Sequence, residues 1–268
     1  MIQNIHRHQR LWLLLAVFSL LAAGIGVFHP SIYADVIGDQ LMPGTIAQDI
    51  MTIVAALALI ACLVGMKRDS MLRQIIALGL VGYLFYAYGV YVIDRVVNPL
   101  YFFYMAIFGL SFYALVFGLS GIHWDTLSGV RIPGVLRYVS AGFCLLLPLV
   151  FYPLWSSQIV PLIQNADKFA DFYSVYILDL CFIMPAFIII AVRLLRKKAQ
   201  GLVLTPALFV LGCTLLLPVG LGELLKPRYG LPVDAGGLGL FLSLSVLFIV
   251  LAVIFLISLR KAKIEDTM

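Results

Sequence analysis

The stretch DFYSVYILDLCFIMP, residues 171–185, places an aspartate, Asp179, in a run of side chains that otherwise partition readily into lipid. Uncharged runs long enough to cross a bilayer recur throughout the 268-residue chain. The sequence is 63% hydrophobic and 12% charged, whereas a soluble domain carries about 25% charged residues. We therefore predict an integral membrane protein that is embedded in the lipid bilayer over most of its length.

Eight apolar segments are predicted to be transmembrane helices, and no stretch between them is long enough for a soluble domain. The fold class is therefore an all-α polytopic bundle, with residues 1–268 forming one transmembrane domain. The predicted spans are residues 11–29, 47–66, 74–93, 99–122, 138–155, 172–192, 202–222 and 235–259.

The eight spans divide into two sets of four that resemble each other. Each set has its longest outer loop after its first helix, at 30–46 and 156–171, and an aspartate in its second helix, Asp49 or Asp179. This likeness suggests two parallel halves, residues 1–122 and 131–260, related by an axis along the membrane normal. The alternative is that hydrophobic helices resemble one another by default.

The formal net charge of +5 is distributed by loop. If all eight spans are real, all but four of the 18 Lys and Arg residues fall on one side of the membrane. This positive-inside pattern places both termini in the cytoplasm. The basic surplus is thus a topology signal, and no nucleic-acid partner is expected. The four exceptions are Arg95, Lys168, Lys226 and Arg228.

The sequence favours a role without a cofactor, a metal or a catalytic site. No histidine is mid-span, which argues against an intramembrane haem or a His-rich zinc site, and the four cysteines are interpreted as buried free thiols. No G-x-S-x-G, H-E-x-x-H or phosphate-loop pattern is present. An aspartyl-protease-like dyad would require Asp49 and Asp179 to lie within hydrogen-bond reach of each other.

Polar residues concentrate in the predicted outer half of the membrane. Asp179 lies about 10 Å inside its span, and because a mid-span aspartate costs about 2.5–3.5 kcal/mol, it should face the bundle interior and have partners. Other spans offer polar residues at similar depth. The predicted ligand or ion pocket is lined by Asp179, Asp49, Gln48, Tyr86, Asn98, Tyr104, Tyr176 and Glu223.

Three roles remain open for these residues. They fit best a transporter or binding module that takes a small ligand or ion from the extracytoplasmic side. The alternative is a non-catalytic sensor or assembly partner, in which the carboxyl groups join helices by hydrogen bonds worth about 0.6 kcal/mol each. An intramembrane enzyme is the third and least favoured role.

Other residues are interpreted as structural. Trp12, Trp124 and Trp155 fall near predicted interfaces and read as anchors in the aromatic belt. Ala22 and Gly26, one helical turn apart, would allow close helix contact. Prolines deep in spans five to seven either reflect their general frequency in membrane helices or indicate that the second half bends.

Four segments carry a resemblance: QDIMT (48–52), GYLFYAY (82–88), NPLYFFY (98–104) and YILDLCFIMP (176–185). In them the chain resembles an uncharacterised family of bacterial polytopic integral membrane proteins. The likeness covers most of spans two to seven and rests on polar residues at fixed places. It implies the bacterial cytoplasmic (inner) membrane and a shared helical core, and it assigns no activity and no site.

Overall fold

The structure is a computed structural model that describes residues 1–3, 5–67, 70–124, 130–164 and 173–265. Within these ranges the chain is helical, and its only β pairing is an isolated bridge between Ile2 and Ile122. The helices are α1 (Ile5–Phe28), α2 (Met42–Leu63), α3 (Met71–Ile93), α4 (Tyr101–Ser120), α5 (Gly134–Gln164), α6 (Tyr173–Leu178), α7 (Met184–Leu195), α8 (Ala199–Leu225) and α9 (Ala235–Glu265).

The predicted all-α bundle of eight spans is confirmed. Helices α6 and α7 are joined by a π-helical turn and form one span, so the described residues contain eight helices that are long and apolar enough to cross a membrane. Their outer faces carry exposed apolar side chains, among them Phe102 at 80% and Leu149 at 72% exposure. A soluble protein does not expose such surfaces, and here the bilayer covers them.

Helices α3 and α8 form the centre of the bundle. The most apolar window of α3 is 78% buried and that of α8 is 61% buried, whereas no other span in the described residues exceeds 44%. Helix α3 packs against α2, α4, α6 and α8, and α8 also packs against α2, α7 and α9. Side chains on several faces of α3 therefore point into protein, which is why polar residues on this helix can meet different partners.

Two glycines of α3 allow it to approach α8 closely. A β-carbon at Gly79 would lie 2.5 Å from the carbonyl oxygen of Ala207 and 2.7 Å from the β-carbon of Val210. One at Gly82 would lie 2.6 Å from a methyl carbon of Leu211. Because lipid removes most of the hydrophobic drive for helix association, such close packing carries much of the contact energy.

Of the helix ends that differ from the sequence-based boundaries, two affect the residues discussed below. Helix α2 begins at Met42, so Asp49 lies about two turns inside the helix rather than at its opening. Helix α5 continues to Gln164 through three internal prolines. Prolines are tolerated there because water does not compete for the remaining backbone hydrogen bonds and neighbouring groups satisfy the freed carbonyls. The remainder of the predicted loop, 165–171, lies outside the described residues.

The helix pairs are compatible with the two predicted halves. In the first half α1 packs on α2 and α4, and α3 packs on α2 and α4; in the second, α7 packs on α5 and α8, and α8 on α9. Between the halves, the second span of the first set, α2, packs on the third span of the second set, α8. The third span of the first set, α3, packs on α6, which belongs to the second span of the second set. The repeat and the cytoplasmic placement of both termini stay predictions, and Arg68 and Lys168, which contribute to the latter, lie outside the described residues.

Replacing Gly79 by alanine is expected to push α3 away from α8 and to destabilise the protein by about 1–3 kcal/mol through overpacking. Thermal unfolding of the purified protein in detergent measures the effect. The matched control is Gly109→Ala in α4, where a β-carbon would meet nothing within 4 Å, so a change of at most about 0.5 kcal/mol is expected. Equal melting temperatures for the two variants would contradict the close α3–α8 contact.

Candidate functional site

All but one of the predicted pocket residues lie in or beside two separate clusters, one around Asp49 and one around Asp179. Helix α3 contributes to both: Tyr91 hydrogen-bonds Asp49, and Tyr86 hydrogen-bonds Asp179. None of the hydrogen bonds recorded between described residues joins the two carboxyl groups, so this part of the chain does not present an aspartyl-protease-like dyad.

The Asp49 carboxyl joins three segments of the chain. The hydroxyl of Tyr33, on a short 3₁₀ turn after α1, donates to Asp49 Oδ2 at 2.6 Å, and the hydroxyl of Tyr91 on α3 donates to Oδ1 at 2.9 Å. Asp49 is 1% exposed, so bulk water does not reach it in this conformation. Each oxygen thus has one phenolic donor, as a buried carboxyl needs.

Helix α4 supports this cluster from its first turn. The Asn98 side-chain amide donates to the Tyr104 hydroxyl at 3.1 Å, while its oxygen accepts the backbone N–H of Leu100 at 2.9 Å. The Tyr104 hydroxyl makes a longer contact of 3.5 Å with the hydroxyl of Tyr33. The rings of Tyr91 and Tyr104 lie 4.9 Å apart. Predicted residues Asn98 and Tyr104 are therefore joined to Asp49 through Tyr33 and Tyr91.

Gln48 lies beside this cluster, in the contact between α2 and α3. Its side-chain amide donates to the backbone carbonyl of Ala87 at 3.0 Å, and its backbone carbonyl accepts a hydrogen bond from the hydroxyl of Tyr83 at 3.1 Å. The same hydroxyl lies 3.1 Å from that of Thr52. These bonds hold α2 and α3 in register and do not include the Asp49 carboxyl.

Gly26 of α1 closes the Asp49 cluster on its remaining side. A β-carbon at this position would overlap both the Asp49 carboxyl and the Tyr33 hydroxyl, so only glycine leaves room for the hydrogen bond between them. Burial raises the pKa of the Tyr33 phenol above its usual range, and the Asp49 carboxyl beside it adds to the increase. Tyr33 therefore keeps its proton and remains a donor.

The Asp179 carboxyl lies at the first residue of the π-helical turn, Asp179–Ile183, and is 7% exposed. The indole N–H of Trp155 on α5 donates to Oδ2 at 2.8 Å, and the Tyr86 side chain is its second hydrogen-bond partner. Tyr176 lies next to Trp155, with ring centroids 5.4 Å apart, and its hydroxyl donates to Gln158 Oε1 at 2.8 Å. Tyr176 is thus linked to Asp179 through Trp155.

Pro185 accounts for the π-helical turn. Because proline has no N–H and its ring would clash with the carbonyl one turn earlier, the helix widens before it. The backbone N–H of Met184 donates to the Asp179 carbonyl, five residues back. The Leu180 carbonyl thereby loses its helical donor, and the Tyr152 hydroxyl on α5 donates to it at 3.3 Å. Tyr152 and Trp155, which lie one turn apart on α5, therefore bond the Leu180 carbonyl and the Asp179 carboxyl respectively.

Glu223 lies apart from both clusters. One carboxylate oxygen pairs with the Lys226 ammonium at 2.6 Å, and the other accepts the backbone N–H of Asp234 at 2.9 Å. These bonds connect the end of α8 to the start of α9. The structure therefore gives Glu223 a role in the loop between two helices and does not bring it to Asp49 or Asp179.

The cysteines and acidic residues do not assemble a metal centre in the described part of the chain, where no group of three or more His, Cys, Asp or Glu side chains could hold an ion. All four cysteines are free thiols. Cys144 is buried, as predicted, but Cys181 is exposed on the bundle surface, because a thiol is apolar enough to face lipid.

Sequence reasoning missed several residues of the two clusters. The sequence predicts that Trp155 and Trp12 are interface anchors, but Trp155 donates to Asp179 and Trp12 is completely buried. No helical spacing connects residue 155 with residue 179, since they lie on different helices. Tyr33 lies in a loop that carried no signal. The spacing of Tyr83, Tyr86 and Tyr91 places Tyr91 on the same face of α3 as Tyr86, which indicates a polar position but not its contact with Asp49.

A scan against protein-family models matches none of them, and searches of curated proteins and of solved structures find no match either. The resemblance to an uncharacterised bacterial membrane family therefore stays a prediction. The described residues establish a polytopic membrane protein.

Gly26→Ala is expected to displace the Asp49 carboxyl from Tyr33 and to destabilise the protein by about 1–3 kcal/mol. The matched control is Gly24→Ala on the same helix, where a β-carbon would meet nothing within 4 Å. Thermal unfolding in detergent compares the two variants. If Gly26→Ala were as stable as Gly24→Ala, the tight Asp49 cluster described above would be incorrect.

Tyr152→Phe leaves the Leu180 carbonyl without its donor, and the expected loss of stability is about 1 kcal/mol. Tyr138→Phe is the control, since Tyr138 lies on the same helix and is 65% exposed. Denaturation curves in mixed micelles measure both changes. A neutral Tyr152→Phe variant would mean that another group, such as a water molecule, satisfies this carbonyl.

Proposed function

We propose that the protein is a transport protein of the bacterial inner membrane, with both termini in the cytoplasm, that binds a small cation at Asp179. The cation is a proton or an alkali metal ion that enters from the extracytoplasmic side. The observation that carries the proposal is the position of Asp179. This residue begins the π-helical turn and hydrogen-bonds Tyr86 from the first set of four spans and Trp155 from the second.

The contact between the two sets of spans is where membrane transporters built from repeats bind their substrates and coupling ions. Alternating access moves one set against the other, so a residue bonded to both sets responds to that motion. Asp179 is bonded in this way, whereas the recorded partners of Asp49 lie in the first set only. This difference selects Asp179 over Asp49 as the coupling residue.

The π-helical turn supports cation binding through its backbone. Interrupted helices in transporters expose carbonyl oxygens that coordinate ions together with side chains. Here the Leu180 carbonyl lacks a helical donor and lies next in sequence to the Asp179 carboxyl. Rotation of the Tyr152 hydroxyl would free this carbonyl for a cation. The proposed ligands are thus the Asp179 carboxyl and the Leu180 carbonyl, both of which have partners on α5.

The charge balance at Asp179 also supports a cation. The partners recorded for its carboxyl in the described structure are an indole N–H and a phenol, and both are neutral. A buried carboxylate without a positive partner is costly in a membrane, and intramembrane acidic residues commonly mark ion or proton pathways. A proton or a metal ion at this position would remove the unbalanced charge.

The alternative is a non-catalytic membrane sensor or assembly partner. The pairing of both carboxyl groups with protein donors favours it, since such bonds can act purely as contacts between helices. In that case neither aspartate would exchange a cation. The Asp49 cluster fits this structural role in both proposals, because Gly26 leaves no space beside its carboxyl.

The fluorescence of Trp155 tests the proposal directly, because its indole N–H donates to the Asp179 carboxyl. The chain contains three tryptophans, so Trp12→Phe with Trp124→Phe leaves Trp155 as the single emitter. We expect its emission to change with pH, Na⁺ or K⁺ in a saturable way in reconstituted vesicles. The response should disappear in Asp179→Asn.

Asp49→Asn in the same background is the matched control and should keep the response, since the two carboxyl groups have different partners. An emission spectrum that is insensitive to these cations between about pH 5 and pH 9, with a folded protein, would overturn cation binding. That outcome would favour the sensor or assembly role. A response lost equally in both variants would reject the assignment to Asp179.

A further inference from the structure

A pocket of about 310 Å³ lies at the N-terminal end of the bundle, between α1 and the end of α4. It is far along the chain from both aspartate clusters, and none of their residues lines it. Its polar lining residues are Gln3, Arg7, His8 and Ser120, and its apolar walls are Leu11 and Phe117.

The N-terminal residues are fastened to the end of α4, which gives the pocket a fixed wall. The backbone N–H of Gln3 donates to the carbonyl of Gly121 at 2.8 Å, and that of His123 donates to the carbonyl of Met1 at 3.0 Å. The backbone N–H of Ile2 donates to the Gln74 side chain at 2.9 Å. The pocket is therefore held open by hydrogen bonds of its own wall rather than formed by a loose terminus.

Gly121 allows the His8 ring to lie close to the backbone in the wall of the pocket. A β-carbon at Gly121 would lie 3.3 Å from His8 Nε2, so the absence of a side chain leaves this ring nitrogen near the cavity. Arg7 and Gln3 are exposed at the rim. The His8 ring is already hydrogen-bonded to the Gln3 backbone, so Arg7 and the Gln3 side-chain amide are the groups that can offer N–H donors to a bound molecule.

The charge around the pocket is positive. Residues 1–10 include Arg7 and Arg10 and no acidic residue, and no described acidic side chain lines the cavity. A guanidinium presents its N–H groups in a fork that matches the oxygens of a phosphate. The electrostatics and the donors therefore fit an anion with several oxygens.

The pocket opens onto the lipid-facing surface. Phe117 lines it and is 51% exposed, and Tyr113, one turn further into the membrane, stacks on Phe117 at 5.9 Å and is 55% exposed. Acyl chains must cover these two rings, because no other part of the described chain does. The polar rim then lies where lipid headgroups meet water, one turn before the apolar part of α1.

We propose that this pocket binds the headgroup phosphate of an anionic phospholipid in the leaflet at the N-terminal end of the protein. Arg7 provides the positive charge, and its guanidinium and the Gln3 side-chain amide hydrogen-bond the phosphate and glycerol oxygens. The Ser120 hydroxyl, which donates to the Phe117 carbonyl at 3.1 Å, and the His8 ring line the pocket wall beside them. Leu11 and Phe117 contact the upper part of an acyl chain. The site is independent of the cation proposed at Asp179. Basic pockets between helices at a membrane surface are suited to such headgroups.

Lipid retention by the full-length protein in detergent tests the site, measured by native mass spectrometry after addition of phosphatidylglycerol or phosphatidylcholine. We expect one phosphatidylglycerol molecule to be retained in preference to phosphatidylcholine. Arg7→Gln should weaken this retention about tenfold or more, since it removes charge-assisted hydrogen bonds. Arg10→Gln removes the same charge outside the pocket lining and should weaken it by about fivefold at most.

Three outcomes would overturn the proposal. Equal retention of the two lipids would show that the headgroup charge is not recognised. Equal effects of Arg7→Gln and Arg10→Gln would reduce the attraction to general surface charge. Displacement of the lipid by inorganic phosphate, added while the total ionic strength is held constant, would assign the pocket to a soluble anion instead. Because Arg7 is exposed, its replacement is not expected to unfold the protein.

Discussion

Inside a bilayer no water is present to solvate a carboxyl group, so an aspartate in a span must find its hydrogen-bond donors on other parts of the protein. Asp49 and Asp179 meet this requirement differently. Asp49 draws together α2, α3 and the turn after α1. Asp179 connects the π-helical turn after α6 to α3 and α5. Helix α3 serves both because it is central, and the positions of the helices around it follow from these bonds together with the glycine contacts to α8.

The two carboxyl groups therefore have different capacities for change. Around Asp49, rings and Gly26 fill the space, and each carboxyl oxygen has a phenolic donor. Around Asp179 the helix itself is irregular, since Pro185 leaves the Leu180 carbonyl to a side-chain donor. The bond from the Tyr152 hydroxyl to this carbonyl breaks more easily than a helical backbone bond that is supported by its neighbours. This irregular backbone is the reason that we propose the Asp179 cluster, and not the Asp49 cluster, for cation binding.

How far the sequence predicts the site depends on the kind of signal that each residue carries. Buried aspartates are conspicuous in an apolar run, and both were identified, as were Tyr86 and Tyr104. Their partners Trp155 and Tyr33 were not identified, because tryptophan and tyrosine are common near membrane interfaces and their type says nothing about which helix they face. Gly26 was recognised as a small packing residue, but its contact with the Asp49 carboxyl depends on how α1 lies against α2. Glu223 has the right depth and charge for a pocket, yet Lys226, one turn away, pairs with it locally.

The sequence by itself determined the number of spans, the helical class and the residues that are too polar to face lipid. It could do so because transfer from water to hydrocarbon depends on composition and length alone, residue by residue. The tertiary structure decided which polar residues meet, why Asp49 and Asp179 belong to separate clusters, and where a lipid-facing pocket forms beside Arg7. Those outcomes depend on the rotation and depth of each helix against its neighbours. Packing between side chains far apart in the chain sets these quantities, and no local pattern in an apolar helix records them.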